Sequence, residues 1–349
     1  MRLGASSLRI LLTADPELPV PPLLYGGIER IVAALVRELV ARKHEVALVA
    51  HPDSSATDQL FPWPGRRSQH LPDIIRNTAA LFTAVQEFRP DVLHSFSRAL
   101  YLLPLLRSRL PKLMSYQRRP GKRQVAWAAR MGRGSLLFTG CSEHICQGGR
   151  AISGEWHAIH NFVDPTKFVF NPSVAEDAPL VFLSRIERMK GAHLAIRVAR
   201  ATNRRILLAG NHGTGGEEGR YWSEEIEPQL GPDVVYVGAV DDAQKNELLG
   251  RAAAMIVPIE WDEPFGIVFA ESLACGTPVI SCPRGALPEI IRHGVDGFLI
   301  NDFAEACEAV AALSGLSRRA CRDRVESAFS LPVIASQYEA LYRAIADRA

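Results

Sequence analysis

The sequence lacks the short motifs of several common enzyme classes. No G-x-G-x-x-G follows the first apolar segment, which disfavours a nicotinamide or flavin domain. There is no G-x-x-x-x-G-K-S/T, so phosphoryl transfer on a P-loop is not expected, and there is no H-E-x-x-H zinc motif. The chain also has no Asp-x-Asp pair, which removes a frequent means of holding a divalent cation on a diphosphate. These absences favour a protein that needs neither a metal nor a resident cofactor.

Cysteine, net charge and long apolar runs are scarce as well. The 349 residues include six cysteines, none in a C-x-x-C pair, which predicts reduced and mostly buried thiols. The formal net charge of +2 argues against a protein dedicated to nucleic-acid binding. No run approaches the ~18 apolar residues of a membrane span, and the N-terminal segment has only a short apolar run. We therefore expect a cytoplasmic protein.

The small net charge hides an asymmetry between the two halves of the chain. Residues 1–165 hold 21 lysines and arginines against 13 aspartates and glutamates, a formal charge of +8. The remaining residues hold 19 against 25, a formal charge of −6. Charge asymmetry of this size indicates that the two halves differ in what they bind.

Apolar segments of strand length alternate with helical patterns along the whole chain. In residues 26–44 the apolar positions recur at i, i+3, i+4 and i+7, which is typical of an amphipathic helix. Strands are predicted at 8–14, 45–50, 91–96, 112–116, 136–140, 157–161, 180–184, 205–209, 234–237, 254–258 and 278–281. This alternation predicts parallel sheets with helices on their faces.

One stretch without sustained periodicity marks a domain boundary. Residues 164–179 contain three prolines and follow neither the strand nor the helix pattern. At roughly 100–200 residues per domain, the length also fits two domains. The sequence predicts an N-terminal domain over 1–165, a C-terminal domain over 166–330 and a terminal helix over 331–349 that could pack back on the N-terminal domain.

Two glutamates stand eight positions apart in the C-terminal domain, Glu263 and Glu271. Pro264 suits the first turn of a helix, which places Glu263 at its start and Glu271 about two turns into it. Carboxylates accept hydrogen bonds from hydroxyls, and first-turn amides bind anionic oxygens, so a polyhydroxylated diphosphate would suit this segment. Taken alone, the pattern fits equally well a helix-terminal carboxylate and a solvent-facing glutamate.

Two turns carry residues suited to phosphate. Arg185 and Lys190 follow a predicted strand, and such a pair can bind a diphosphate because arginine offers a planar fork and lysine a compact charge. Gly26 and Gly27 follow the first strand and let the backbone approach a ligand at a helix N-terminus. Taken singly, a solvated loop and an ordinary strand-to-helix turn explain these residues better.

Together these elements resemble the retaining glycosyltransferases of family 4, which have the GT-B fold of two Rossmann-like doubly wound α/β domains facing a central cleft. The resemblance spans nearly the whole chain and is strongest over residues 180–300. It rests on F-L-S-R-I-E-R-M-K-G, on the E-x7-E run that ends at Glu271, and on A-C-G-T-P-V-I. The R-x4-K spacing together with E-x7-E is its specific part, and G-G-I-E-R near the N-terminus agrees with it.

The resemblance implies a site for a nucleotide-sugar donor, mostly on the C-terminal domain. Arg185 and Lys190 would bind and stabilise the leaving diphosphate. Glu271 would accept from the ribose hydroxyls, and Glu263 would meet the donor sugar near the reacting face. The residues that match further donor contacts of the family are Gly26, Gly27, Gly238, Val240, Phe265, Gly266 and Ile267. The implied reaction is metal-independent transfer to an acceptor hydroxyl with retention, which depends on positioning and charge stabilisation.

The N-terminal domain departs from the family's pattern in three places. The frequent H-x-H is H-S-F here, so His94 matches the first histidine and Phe96 replaces the second. The usual T-x-H is S-Y-Q at 115–117, and N-G-V-D is N-F-V-D at 161–164. These changes leave two interpretations of His94 equally open, a catalytic contact and a buried structural histidine.

A basic segment of the same domain has no counterpart among these roles. Its members are Arg118, Arg119, Lys122, Arg123, Arg130 and Arg133, with Trp127 among them. One hypothesis is that it meets an anionic acceptor, such as a lipid-linked sugar phosphate at the inner face of a membrane. The alternative is a solvated loop and helix.

The resemblance favours a UDP-sugar donor, with UDP-glucose first and GDP-mannose second, and an acceptor in glycan or glycolipid assembly. Two other interpretations stay open. The same fold could hydrolyse, epimerise or phosphorolyse a glycosyl bond. A non-catalytic relative could bind a sugar nucleotide or a partner protein without transfer, which the replaced histidine favours.

Overall fold

The computed structural model describes residues 7–23, 26–132 and 134–348. The chain folds as two compact units. The N-terminal unit runs to Asn161 and includes Leu331–Ala349, and the C-terminal unit comprises Phe162–Ser330. The first unit thus ends at Asn161, whereas the sequence pattern predicts its end at residue 165. The terminal helix belongs to the N-terminal unit.

The N-terminal unit is built on a seven-stranded sheet in which every pairing is parallel. Its strands are β1 (Arg9–Thr13), β2 (Glu45–Ala50), β3 (Leu60–Pro62), β4 (Val92–Ser95), β5 (Lys112–Tyr116), β6 (Leu136–Gly140) and β7 (Trp156–Ala158). The order β3-β2-β1-β4-β5-β6-β7 reverses its winding direction between β1 and β4. Its first four α-helices are α1 (Gly27–Ala41), α2 (Leu71–Phe88), α3 (Lys122–Gly132) and α4 (Glu143–Arg150).

The C-terminal unit repeats this plan with a six-stranded parallel sheet. Its strands are β8 (Leu180–Leu183), β9 (Ile206–Ala209), β10 (Val234–Gly238), β11 (Ala254–Val257), β12 (Val279–Ser281) and β13 (Gly297–Leu299). The order β10-β9-β8-β11-β12-β13 reverses between β8 and β11. Its α-helices are α5 (Ala192–Ala201), α6 (Gly216–Tyr221), α7 (Asp242–Arg251), α8 (Ile267–Ala274), α9 (Leu287–Ile290), α10 (Phe303–Ala311) and α11 (Arg318–Ala328).

The last helix, α12 (Leu331–Ala346), packs on α1 within the N-terminal unit. Arg42 follows α1, donates to the Pro332 carbonyl at 2.8 Å and pairs with Glu339 at 3.1 Å. The residues of α12 buried in the unit are Ile334, Ala335, Tyr338, Leu341, Tyr342 and Ile345. The helix is therefore part of the N-terminal core although it lies at the far end of the sequence.

The sequence patterns located most strands correctly. The largest offset is at β7, which ends at Ala158 where the pattern predicts residue 161. The patterns missed β3 and β13, which have three residues each. The first helix ends at Ala41 instead of residue 44, and Lys43 beyond it adopts a left-handed φ of 72°.

Both sheets place their central strands in the core. All residues of β4, β8 and β11 are buried, as expected for parallel strands covered by helices on both faces. The two doubly wound units confirm the predicted α/β class. In the ranges that the structure describes, every helix is too short or too polar to span a bilayer.

Candidate functional site

The predicted site residues gather at one edge of the C-terminal sheet. Ligands of doubly wound folds bind at the carboxyl ends of the strands, where the winding direction reverses. In this unit that point lies between β8 and β11. Arg185 and Lys190 follow β8, and Glu263 follows β11, so the topology brings the two predicted segments to the same place.

A buried ion pair joins these two segments. The Lys190 Nζ donates to Glu263 Oε2 at 2.7 Å, and the side chains are only 9% and 12% exposed. The indole N–H of Trp261 donates to the same oxygen at 3.1 Å. The Lys190 ammonium also lies 4.4 Å from the centre of the Trp261 ring, within range of a cation–π contact. The pair therefore compensates two charges that burial would otherwise penalise.

Two glycines let backbone segments approach this pair closely. Gly191 has a φ of 78°, and a Cβ there would lie 2.2 Å from the Pro258 carbonyl oxygen. Gly285 has a φ of 61°, and a Cβ there would lie 2.2 Å from the Glu263 carbonyl oxygen. The same carbonyl accepts from the Ala286 N–H at 2.8 Å. The main chain on both sides of the ion pair is thus fixed by contacts that larger residues would prevent.

The helix that carries Glu271 begins later than the sequence predicts. Gly266 adopts a left-handed φ of 80° and caps α8, which starts at Ile267 instead of Pro264. A Cβ on Gly266 would lie 2.5 Å from the Phe269 ring, so the loop packs against the helix only with glycine here. The prediction that Pro264 opens the helix is wrong, and Glu271 lies little more than about one turn into it.

Glu271 has a cation of its own that the sequence patterns did not reveal. The Lys245 Nζ donates to Glu271 Oε1 at 2.8 Å and pairs with Asp242 at 3.2 Å. Burial alone would lower the pKa of Lys245, but Glu271 and Asp242 outweigh it and hold that pKa above its ordinary value. The available signal was the position of Lys245 on the helix directly after the predicted Gly238–Val240 turn.

That turn is held by backbone and cap contacts. β10 ends at Gly238, which has a φ of 82° and accepts from the Gly210 N–H at 2.9 Å. The half-buried Val240 leads into α7, whose cap Asp241 and third residue Gln244 form reciprocal side-chain to backbone bonds. A turn fixed in this way can present its backbone to a planar ring without further ordering.

The two predicted phosphate-binding cations lie in different environments. Arg185 is 62% exposed and pairs with Glu187 on the same loop. Lys190 is buried. The turn that carries it is stabilised by a hydrogen bond from the Arg188 N–H to the Glu218 carboxylate at 3.0 Å. Lys190 is therefore fixed in place, whereas the Arg185 guanidinium is available to an incoming anion.

In the N-terminal unit, the predicted glycines stand at the start of α1. Gly26 precedes the helix, and a Cβ there would lie 2.8 Å from Glu29 Oε2 and from the Pro22 side chain. A Cβ on Gly27 would meet no described atom within 4 Å. Gly26 is thus required by packing, and Gly27 borders open space. Tyr25, which precedes them, lies outside the described residues, as does Arg133 of the basic segment.

His94 lies on β4, is completely buried and faces α12. Its Nδ1 lies 2.6 Å from the Tyr342 hydroxyl, and its Nε2 lies 2.6 Å from the Ser115 hydroxyl. Phe96 packs on its ring with a centroid distance of 4.3 Å. Burial lowers the pKa of His94 to about 3, so the ring is neutral. This environment fits the structural interpretation of His94.

The N-terminal unit has a buried carboxyl that the sequence patterns also missed. Asp15 follows β1 at the point of winding reversal, and its Oδ1 is buried without a hydrogen-bond partner among the described residues. Burial, aided by Glu17 and Glu29 and opposed by Arg98 and Arg118, raises the pKa of Asp15 to about 6. Burial likewise raises the pKa of Glu29. The available signal was the position directly after the first strand.

No metal centre stands out in the parts of the chain that the structure describes. Within residues 7–23, 26–132 and 134–348, no three histidine, cysteine, aspartate or glutamate side chains are grouped as metal ligands. The positive charge of the C-terminal site comes from Arg185, Lys190 and Lys245.

Two family models match the chain, one for each half. The model for Glycosyltransferase Family 4 matches residues 25–167, and the model for Glycosyl transferases group 1 matches residues 164–320. Both describe sugar transferases, and the two doubly wound units are the architecture of the GT-B fold. The chain belongs to the GT-B glycosyltransferases of the family 4 type.

Curated relatives and solved structures agree with this family. The chain is 31% identical over 189 residues to a D-inositol 3-phosphate glycosyltransferase from Kribbella flavida, which covers 49% of this chain and 44% of that protein. It is 21% identical over 333 residues to spore coat protein SA from Bacillus subtilis, covering 85% and 86%. The chain thus spans less than half of the length of the Kribbella relative.

Two solved structures share the fold at low identity. Sucrose-phosphate synthase from Thermosynechococcus elongatus has a TM-score of 0.78 and 19% identity, covering 97% of this chain and 99% of that one. HepE from Anabaena, solved with UDP and glucose, has a TM-score of 0.70 and 16% identity, covering 96% and 99%. At such identities the likeness establishes the fold alone.

Removing Lys190 should destabilise the protein, because Glu263 would keep a buried charge without its cation. Breaking a buried pair from one side typically costs about 3–5 kcal/mol. We expect Lys190→Met to show this loss in equilibrium urea unfolding, and Lys190→Met with Glu263→Gln to recover most of it. The exposed pair of Arg319 and Asp323, 2.7 Å apart, is the control, since surface pairs contribute at most about 1 kcal/mol. Equal losses at both pairs would show that burial does not set the cost of breaking the Lys190 pair.

Replacing Asp15 by asparagine should stabilise the protein at neutral and basic pH. The folded state raises the pKa of Asp15 to about 6 from 3.8, so it holds a proton that the unfolded state has lost, and stability falls as pH rises through this window. Asp15→Asn should therefore gain up to about 3 kcal/mol at pH 8, with the gain shrinking toward pH 4. Urea unfolding across pH measures it. Asp53→Asn, at an 81% exposed side chain, is the control; a gain that grows toward acid pH would be the wrong sign.

Proposed function

We propose that this glycosyltransferase moves a sugar from a nucleotide diphosphate to an acceptor hydroxyl, with retention at the anomeric carbon and without a metal. The observation that carries the proposal is the Lys190–Glu263 pair at the winding reversal of the C-terminal sheet. It sets a buried cation beside a buried carboxylate. A diphosphate needs the cation, and sugar hydroxyls need the carboxylate as hydrogen-bond acceptor.

Donor binding exchanges the partners of two lysine–glutamate pairs whose side chains are largely buried. Lys190 turns to the diphosphate, and Glu263 then accepts from hydroxyls of the donor sugar. Lys245 holds Glu271 in the same manner until ribose hydroxyls reach it. Because these side chains are already largely desolvated and oriented, little reorganisation is needed when the ligand arrives.

The remaining donor contacts come from exposed or backbone groups. The Arg185 guanidinium can bind two diphosphate oxygens through its fork. First-turn amides of α8, starting at Ile267, lack partners within the helix and sit at its positive end. The loop through Phe265 and Gly266 leads into that end, and the Gly238–Val240 turn receives the base. Gly26 and Gly27 of the N-terminal unit are assigned to the donor phosphates.

The reaction breaks the bond between the anomeric carbon and the diphosphate oxygen and forms a bond from that carbon to the acceptor oxygen on the same face. The proton of the acceptor hydroxyl passes to the leaving diphosphate. Arg185 and Lys190 stabilise the negative charge that develops on this leaving group, which lowers the barrier because the interaction strengthens in the transition state. Glu263 orients the sugar through its hydroxyls.

We assign a UDP-sugar as the donor, with UDP-glucose first. Support comes from HepE, a structural neighbour solved with UDP, with UDP-glucose and with UDP and glucose. GDP-mannose is the second candidate. We assign the acceptor site to the N-terminal unit, where Asp15 Oδ1, which has no partner among the described residues, can accept from a hydroxyl.

The acceptor is assigned as an anionic, lipid-linked molecule at the inner face of a membrane. Arg118, Arg119 and Arg123 of the basic segment are exposed, and Trp127 is half-buried beside them. Surface arginines of this kind attract anionic headgroups. The protein would then be cytoplasmic and peripheral to the membrane.

A screen of nucleotide sugars tests the donor. UDP-glucose should raise the melting temperature more than GDP-, ADP- or TDP-sugars, because a ligand that binds only the folded state stabilises it. Arg185→Ala and Lys190→Ala should remove most of this shift, while Glu263→Gln should mainly lower turnover. Preference for GDP-mannose would replace the donor assignment. Binding without turnover in any acceptor pool would support a relative that binds a sugar nucleotide without transfer. The presence of Phe96 in place of the family's second histidine favours that alternative.

Glu271 should contribute to donor binding only through hydrogen bonds from the ribose hydroxyls. Loss of a hydrogen bond to a charged group costs about 1.5–3 kcal/mol, so Glu271→Gln should weaken UDP binding roughly tenfold or more. The variant should bind UDP and 2′,3′-dideoxy-UDP with nearly equal affinity, whereas the native protein should prefer UDP. Isothermal titration measures both. An unchanged preference for UDP in Glu271→Gln would place the ribose elsewhere.

A further inference from the structure

The N-terminal half of α2 has its polar residues inside and its apolar residues outside. Asp73 and Asn77 are 4% and 0% exposed, whereas Leu71 and Ile75 are 66% and 62% exposed. A surface helix of a globular protein normally shows the opposite arrangement. Packing within the chain therefore does not explain the outward face of this helix.

Specific hydrogen bonds fix this inverted orientation. Asn77 accepts from the Gly65 N–H at 2.7 Å and donates to the Gly65 carbonyl at 3.0 Å. Burial alone would raise the pKa of Asp73, but hydrogen bonds from Arg76 and from the Arg67 N–H, with His70 close by, outweigh it and hold that pKa at about 2. Rotating α2 to bury Leu71 would break these contacts, so its apolar side chains face outward in the folded state.

The outward side chains form one continuous stripe. Leu71, Ile75, Ala79 and Phe82 are all exposed, and Phe82 is 43% exposed. At 100° per residue these four positions fall within a sector of about 100°, with Arg76 along one edge. We call these four residues the α2 stripe. Contiguous exposed apolar residues bordered by polar ones mark interaction sites.

The charge around the α2 stripe is mainly positive, although Glu87 near the C-terminal end of α2 is exposed. Between residues 59 and 86 the only acidic residue is Asp73, which is buried. The exposed side chains of Arg67 and Arg76 stand at 70% and 58% exposure. Residues 92–142 contain ten lysines and arginines and no aspartate or glutamate. This second segment includes the 3-10 helix Ala99–Leu105, which packs against α2.

We propose that the α2 stripe inserts into an anionic lipid bilayer, with the surrounding arginines on the headgroup phosphates. An apolar stripe with a cationic border is the pattern of a helix that lies in a membrane interface. A second copy of the chain fits less well, because a symmetric contact would bring two cationic borders together. The inference deepens the peripheral contact proposed above, since it names the element that enters the lipid.

Vesicle sedimentation of the whole chain tests this proposal. The native protein should bind phosphatidylglycerol-rich vesicles, bind pure phosphatidylcholine weakly and lose affinity in high salt. Ile75→Ser with Phe82→Ser should weaken binding to the anionic vesicles about tenfold or more, because less apolar surface is buried in the lipid. Phe303→Ser is the matched control: Phe303 is also 43% exposed and lies in the C-terminal unit. This control should bind as the native protein does.

Several outcomes separate this inference from the proposed function. Native-level vesicle binding by the double variant would overturn the insertion of the α2 stripe, even if charge reversal at Arg118, Arg119 and Arg123 abolished binding. If the native protein forms concentration-dependent dimers without lipid and the double variant stays monomeric, the stripe binds a second copy of the chain, which would overturn its insertion into lipid. The double variant should keep its urea midpoint and its stabilisation by UDP-glucose. If UDP-glucose does not stabilise the native protein, that result would instead count against the donor assignment.

Discussion

The ammonium of Lys190 and the carboxylate of Glu263 meet in a largely buried position, and the C-terminal unit is arranged around that contact. Gly191 and Gly285 bring backbone within reach of its two ends, and the Trp261 indole N–H donates to the same carboxylate oxygen as Lys190. A buried ion pair adds little net stability over an apolar pair, while either charge alone would be costly. Such an arrangement is better explained by a ligand that needs both charges than by stability.

Lys245 and Glu271 repeat this principle on the next pair of elements. Both carboxylates of the C-terminal unit that are assigned to hydroxyls, Glu263 and Glu271, are paired with a lysine. The acidic half of the chain therefore has neutral pairs, instead of bare carboxylates, where its ligand is proposed to bind. The basic half differs, since exposed Arg76 borders the α2 stripe and the buried Asp15 Oδ1 has no hydrogen-bond partner among the described residues.

Much of the site followed from spacing along the chain. Residues such as Arg185 and Glu263 lie in the loops that follow strands, and in parallel sheets the ends of strands meet at one edge. The start of α8 did not follow, because the left-handed Gly266 depends on the contact of its loop with Phe269. Lys245 was missed because its partner, Glu271, lies on a separate helix. His94 could not be interpreted because its partner Tyr342 is far along the chain.

The sequence by itself determined the elements, their parallel arrangement and the family, because apolar periodicity and motif spacing are local properties. Only the tertiary structure decided which charges are paired, that His94 is completely buried and which face of α2 is exposed. Burial and electrostatic pairing depend on neighbours that are remote in sequence. For Asp73 and Asn77 this distinction is complete: their polar character is visible in the sequence, but their inward position depends on partners from the preceding loop.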